Sequence, residues 1–225
     1  MVEINDKKVA FIACDVVYDE VKDRIPADWN VVNLEKKLHE RSDELRNRLQ
    51  QEINKFQKHD VIILGYGLCG KGVEGLTSEN THLVVSRCDD CIAMLLGSIE
   101  EYKKQHMQEP GTYYLTRGYL GDSDDFSMEG FQQLREKYDQ QTWDWIRGQL
   151  LKNYKRLVFI NTGNYKPDCY RDIAKKEAGK LGLRFEEIKG SNHYFNKLVK
   201  GEFDSNFLVL EPGQRLSLDM FLNDN

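Results

Sequence analysis

Five cysteines among 225 residues are the first candidates for chemistry in this sequence. They are too few for a disulfide scaffold, and an odd number cannot pair completely. In a reducing compartment they stand as thiols, available for packing, catalysis or metal. Their placement matters more than their number. Cys14 closes the apolar run of residues 8–14, Cys69 follows the run 61–64, and Cys88 and Cys91 follow the run that ends at Arg87. If these runs are parallel strands, three strand ends deliver thiols to the carboxyl edge of one sheet, where open α/β folds bind ligands. Cys14, Cys69 and Cys91 are therefore expected as metal ligands, with Cys88 as a fourth. The Cys88-Asp89-Asp90-Cys91 spacing suits a metal knuckle; a redox pair shares it, but the proline-containing context of such pairs is missing here. A helix beginning at Cys91 would lower its thiol pKa and favour the thiolate that binds metal. Cys169, near the start of a later helix, is expected to be a packing residue.

Three thiolates suit two kinds of centre. A four-iron iron–sulfur cluster with one iron open could bind a small-molecule substrate or accept sulfur. A zinc ion with an open position could activate a substrate thiol or water. With Cys88 as a fourth ligand the zinc site would close and become structural.

The loop Gly65-Tyr66-Gly67-Leu68-Cys69-Gly70-Lys71-Gly72 resembles two phosphate-binding motifs. Gly65, Gly67 and Gly70 fit a dinucleotide fingerprint and are the candidate cofactor-binding positions. The same residues nearly spell a P-loop, with Gly72 where a Ser or Thr should hold magnesium. Both motifs require a helix that starts in the loop, and only Val73-Glu74-Gly75-Leu76 precedes polar residues and the next strand. Nucleotide binding is thus an alternative reading. The sharper one is that these glycines let the backbone curl around a group held by Cys69.

Other polar residues carry weaker signals. His39 and His59 bracket a helix, His82 opens a strand and His106 ends a helix, which suits capping or solvated roles. His193 follows a strand end and is expected at the same edge as the cysteines. Arg87 and Arg117 also follow strands, where either could meet an anionic substrate. Thr116-Arg117-Gly118 and Asn161-Thr162-Gly163 are expected to line a pocket, and Tyr66, Tyr113 and Tyr114 to be core or wall residues.

The elements that must position these groups alternate. Strands are expected at residues 8–14, 29–34, 61–67, 82–87, 112–117, 156–161, 183–188 and 206–210. Most are continuous apolar runs, as in strands buried on both faces of a parallel sheet. Helical periodicity marks residues 34–56, 91–106, 139–154 and 168–181. The expected fold class is α/β and Rossmann-like, with mostly parallel sheet and helices on both faces. Lys7-Lys8-Val9-Ala10-Phe11-Ile12 echoes Lys155-Arg156-Leu157-Val158-Phe159-Ile160. That echo suggests two related halves, residues 1–107 with the four clustered cysteines and residues 108–225, or one continuous domain. The polar, acidic stretch 121–130 reads as a surface loop.

Composition narrows the partners. Hydrophobic residues are 40% and charged residues 31% of the chain, a globular balance. Thirty-two Lys and Arg against 37 Asp and Glu, well interspersed, leave no basic stripe for nucleic acid. No apolar run approaches the length of a membrane helix, and no secretory pattern opens the chain, so a cytoplasmic protein is expected.

Several strings are specific when taken together. Gly65-Tyr66-Gly67-Leu68-Cys69-Gly70, Cys88-Asp89-Asp90-Cys91-Ile92 with Leu95-Leu96-Gly97-Ser98, and Pro110-Gly111-Thr112-Tyr113-Tyr114-Leu115-Thr116 resemble the family called domain of unknown function 1638. Asn161-Thr162-Gly163 and Glu211-Pro212-Gly213 extend the likeness, from about Val9 to Gly213. The resemblance implies an anaerobe-typical protein linked to corrinoid-dependent methyltransferase systems, or to methyl-transfer or sulfur metabolism. A catalytic metal protein and a non-catalytic accessory factor both fit that setting. It also implies recurring thiols at Cys14, Cys69 and Cys91, with Cys88 and Asp89 as local variation. The anaerobic setting favours an iron–sulfur cluster over zinc.

Overall fold

The computed structural model describes residues 4–120 and 136–222 and divides the chain into two compact units. The first comprises Met1–Ile99 with Ser191–Asn225, the second Glu100–Gly190. The sequence expectation puts a division near residue 107. The chain comes back to the first unit because its last strand hydrogen-bonds to that unit's sheet. The stretch 121–130, expected as a surface loop, lies outside the described residues.

The first sheet contains β1 (Val9–Cys14), β2 (Asn30–Leu34), β3 (Val61–Gly65), β4 (His82–Ser86) and β8 (Phe207–Leu210), in the order β2-β1-β3-β4-β8. Its first four strands are parallel and β8 runs antiparallel to β4. Every residue of β1 and β3 is buried, which explains their unbroken apolar sequence. The second sheet is parallel throughout: β5 (Thr112–Leu115), β6 (Arg156–Asn161) and β7 (Arg184–Lys189), with β6 central. The fold is the mostly parallel, Rossmann-like α/β class that the sequence suggests. The two echoing segments lead into β1 and β6, and each of these strands is paired on both sides.

The helices show what periodicity missed. In the first unit α1 (Asp15–Val21) follows β1 directly. Its Val16, Val17 and Val21 are β-branched and read as more strand rather than helix. The expected helix 34–56 is a 3₁₀ turn (Lys36–Glu40) and then α2 (Ser42–Lys55). The expected helix 91–106 is two, α3 (Cys91–Leu96) and α4 (Ile99–Gln108). Gly97 parts them in a left-handed conformation, φ 90°, where its N–H meets the Ala93 and Met94 carbonyls. Any side chain at Gly97 would press within 2.3 Å of Ser191 Cβ. Further along lie α5 (Arg117–Leu120), α6 (Gln140–Leu151), α7 (Asp168–Leu181), α8 (His193–Lys200) and α9 (Asp219–Leu222). None of the described helices is long and apolar enough to cross a membrane.

Candidate functional site

The order β2-β1-β3-β4 sends the chain from β1 outward to β2 and from β3 outward to β4, in opposite directions. A reversal of this kind opens a crevice at the carboxyl ends of the strands, the usual ligand position in open sheets. Cys14 is the last residue of β1, and Tyr66 to Cys69 follow β3. Because Ala13 stands beside Gly65 in the ladder, the next step brings Cys14 alongside Tyr66. Cys88 and Cys91 follow β4, and Cys91 is the first residue of α3.

All four thiols are buried, at 1%, 6%, 5% and 4% exposure for Cys14, Cys69, Cys88 and Cys91, and none is in a disulfide. The loop after β3 is pinned along the segment after β4. Leu68 N–H donates to Cys88 O and Cys69 N–H to Asp89 O, each at 2.8 Å. Cys69 itself sits at φ 47°, a left-handed position costly for a residue with a side chain. Gly67 makes the close approach possible. A Cβ there would lie 2.6 Å from Cys88 O and 2.9 Å from Cys88 Sγ.

The remaining glycines of the motif have other tasks. Gly65 lies inside β3, where a Cβ would meet Ala13 Cβ at 2.6 Å, so it packs strands rather than approaching a ligand. Gly70 takes φ 62° and accepts a hydrogen bond from Ser42 Oγ (2.8 Å). The chain passes through residues 70–75 in turns, so the helix that a phosphate-binding loop requires does not start here.

Burial dominates the electrostatics of this region. Burial pushes Cys14 up from 9.0 to about 11, opposed by backbone N–H groups of Val17 and Val16. Burial also raises Cys69, with Cys14 adding to it, and raises Cys88, with Cys69 adding to it. Tyr66 is raised by burial and then by Cys14, Cys69, Asp15 and Cys91. Two further groups border the site. His39 stacks on Tyr66, with ring centroids 5.6 Å apart and an interplanar angle of 25°. Its Nδ1 lies 2.9 Å from Lys36 O, and since a carbonyl only accepts, Nδ1 carries the proton and Nε2 keeps a lone pair. Asp90 caps α3 by accepting from Ile92 N–H at 2.8 Å; burial raises its carboxyl, and the nearby His39 works against that.

Neutral thiols in a dry pocket make the fold sensitive to alkali. The folded Cys14 holds its proton to higher pH than the unfolded chain does, so the unfolded state loses protons first. Stability from this thiol is complete below about pH 9 and is lost as pH rises through about 11. Denaturant melts of metal-free protein should weaken over that window, and Cys14→Ala should flatten the dependence. An unchanged profile in the variant would contradict the burial of the thiol.

Among the described residues, no group of three His, Cys, Asp or Glu side chains could hold a metal ion. The thiols form a neighbourhood rather than a finished coordination shell.

A model of the family described as "Protein of unknown function (DUF1638)" matches residues 33–199. The chain belongs to this family. The match is narrower than the stretch from Val9 to Gly213 expected from the sequence strings. In this DUF1638 chain it takes in Cys69, Cys88 and Cys91 and starts after Cys14. No curated protein and no solved structure matches the chain.

The other expected site residues fall elsewhere. Cys169 is exposed on α7, which corrects its reading as a packing residue. His193 is exposed at the first position of α8. The Arg87 side chain donates to Met220 O (3.1 Å). Thr116 and Arg117 belong to the second unit, where the Arg117 guanidinium lies 6.0 and 5.7 Å from the Tyr165 and Tyr170 rings. The Thr116 and Tyr165 hydroxyls are 3.1 Å apart. His39 and Asp90 are the bordering residues that sequence reasoning missed. Asp90 carries a detectable signal, an N-cap residue ahead of a short apolar helix. His39 carries none, because its position depends on the long-range placement of the 3₁₀ turn.

Proposed function

We propose that this DUF1638 protein binds a thiophilic metal at the crevice beyond β1 and β3, with Cys14, Cys69 and Cys91 as ligands and Cys88 beside them. One observation supports the reading: three separate strand ends supply four buried thiols, none of them in a disulfide. The donor set fits, since soft thiols select zinc, copper(I) or iron–sulfur centres. Burial without a compensating cation keeps Cys14, Cys69 and Cys88 protonated, and a bound ion would supply the missing positive charge as the protons leave. The close packing at Gly67, with no space for even a methyl group beside Cys88 Sγ, favours a single ion such as zinc over a four-iron cluster. An ion with three protein thiolates keeps one position for a small molecule and activates a thiol or water there.

Titration with cobalt(II) as a zinc substitute tests this. Thiolate-to-cobalt absorption should saturate at one ion per chain, and affinity should rise about tenfold per pH unit for each thiol that must deprotonate. No charge-transfer band at any pH up to 9 would refute the reading.

A further inference from the structure

The first unit also holds an open cleft of about 490 Å³, a volume that suits a small molecule. Gln50 and Asn54 of α2 line it, with Gly75, Thr77 and Glu79 ahead of β4 and Arg215 beyond β8. Glu79 precedes β4 and Asn54 lies near the end of α2, ahead of β3. The cleft is therefore toward the edge where the parallel strands begin, whereas Cys14, Cys69, Cys88 and Cys91 follow their ends.

The string Glu211-Pro212-Gly213 builds one wall. Gln214 N–H donates to Glu211 O (3.0 Å), closing a turn with Pro212 second and Gly213 third at φ 82°. That is the type II pattern, in which the third residue needs a positive φ. The turn sends the chain back along residues 75–78. Gly213 N–H donates to Ser78 O (2.7 Å) and Gly75 N–H to Leu216 O (2.7 Å). Gln50 braces the facing segment from α2, its Nε2 donating to Thr77 O (2.9 Å) and its Oε1 accepting from Thr77 N–H (3.1 Å). Arg215 thus pairs with Thr77 across a β-bridge, and its guanidinium lies over Gly75. A Cβ at Gly75 would stand 3.2 Å from Arg215 Nη2 and 3.8 Å from its Cζ, so the bare glycine is what seats the group.

This guanidinium is unspent. Every other arginine among the described residues is committed to a hydrogen bond, an ion pair or, for Arg117, two tyrosine rings. Arg215 makes none of these, in a chain where 37 Asp and Glu outnumber 32 Lys and Arg. Glu79 has no hydrogen bond or ion pair either among the described residues. Opposite charges therefore line one cleft without pairing to each other. Asn54 Oδ1 accepts from Gln50 Nε2 (2.9 Å), which leaves the Asn54 Nδ2 hydrogens to donate. A seated guanidinium takes a carboxylate in a two-pronged contact. Glu79 attracts an ammonium and disfavours a multiply charged phosphate. We propose that this cleft binds a small zwitterion of the free α-amino acid class. Its carboxylate meets Arg215 and Asn54 Nδ2, and its ammonium meets Glu79. The site is separate from the thiols and does not depend on the metal reading.

Thermal unfolding of the full chain with each common amino acid at about 10 mM tests this. Sodium acetate, methylammonium and inorganic phosphate serve as ligands of one sign only. At least one amino acid should raise the melting temperature by about 3–6 °C, the effect of a ligand at about ten times its dissociation constant. The three controls should not. Arg215→Gln and Glu79→Gln alter exposed side chains, so their ligand-free melting temperatures should stay within about 2 °C of the parent's. Each should weaken binding of that amino acid by about tenfold or more in calorimetry, because each removes a charged partner. No shift with any amino acid would overturn the proposal. A shift that survives both substitutions would overturn it too. An equal shift with acetate or phosphate alone would also overturn it, by marking a plain anion site.

Discussion

Single Cys→Ser substitutions at positions 14, 69 or 91 are expected to remove most of the bound metal, while Cys169→Ser keeps it. The reason is donor count. Two remaining thiolates make a weak site, and the group that would replace the third is a buried hydroxyl of little affinity for a soft ion. Each variant also places a more polar atom where the parent has a thiol at most 6% exposed. A stability loss of about 1–3 kcal/mol should therefore accompany the metal loss at the three buried positions. Cys169 is exposed and belongs to the second unit, so neither effect is expected there. Cys88→Ser is the informative member of the series. Retained metal means three thiolates and an open position, hence room for a small molecule; lost metal means a closed, structural site. Metal content per folded chain across the five variants reads this out. Equal binding in all five would show the buried thiols to be ordinary core residues.

Gly67→Ala should be the most disruptive single methyl addition in the site loop. The new Cβ would lie 2.6 Å from Cys88 O, 2.9 Å from Cys88 Sγ and 3.2 Å from Asp90 N. Two of these three atoms are backbone, so no side-chain rotation relieves the contact. The loop must lift, which endangers the hydrogen bonds from Leu68 and Cys69 to Cys88 and Asp89. Overpacking and the loss of two hydrogen bonds together should cost about 3–5 kcal/mol. In a chain of this size that corresponds to roughly 6–20 °C in melting temperature. Metal binding should fall as well, because Cys69 rides on the same loop. Gly72→Ala makes a useful contrast: its clash is with Leu45 Cδ2 at 2.4 Å, the end of a flexible side chain. Gly70→Ala has room, with Ser42 Oγ at 3.7 Å, and should cost only about 1 kcal/mol for its positive φ. A Gly67→Ala protein as stable as the Gly70→Ala protein would show that the loop is not pressed against Cys88.

The contrast among these glycines shows where the sequence was legible. The expected strands β1 and β3 appear because fully buried parallel strands need unbroken apolar runs, a local signal that survives without any partner. Cys14 and Cys69 could be placed at strand ends for the same reason. The fate of the last segment could not be read. Phe207–Leu210 is as plausible a strand for one sheet as for the other, and only long-range pairing with β4 decides it. A helix of seven residues such as α1 offers too few turns for periodicity to stand out among its β-branched valines. The glycine motif was misleading in its resemblance to phosphate loops. Its glycines answer to Ala13, Cys88 and Leu45, contacts distant in sequence that no local pattern encodes. His39 reads from sequence as a capping or solvated residue, because its place against Tyr66 exists only after folding.

Elemental analysis of protein purified without oxygen, under reducing and metal-replete conditions, tests the metal site most directly. The proposed site predicts zinc, or another thiophilic ion, at about one per chain. It also predicts that oxygen exposure leaves the zinc content unchanged. Iron in multiples per chain that bleaches in air would replace the single ion by a cluster on the same cysteines. No metal above the level found in the Cys14→Ser, Cys69→Ser and Cys91→Ser proteins would contradict the site itself.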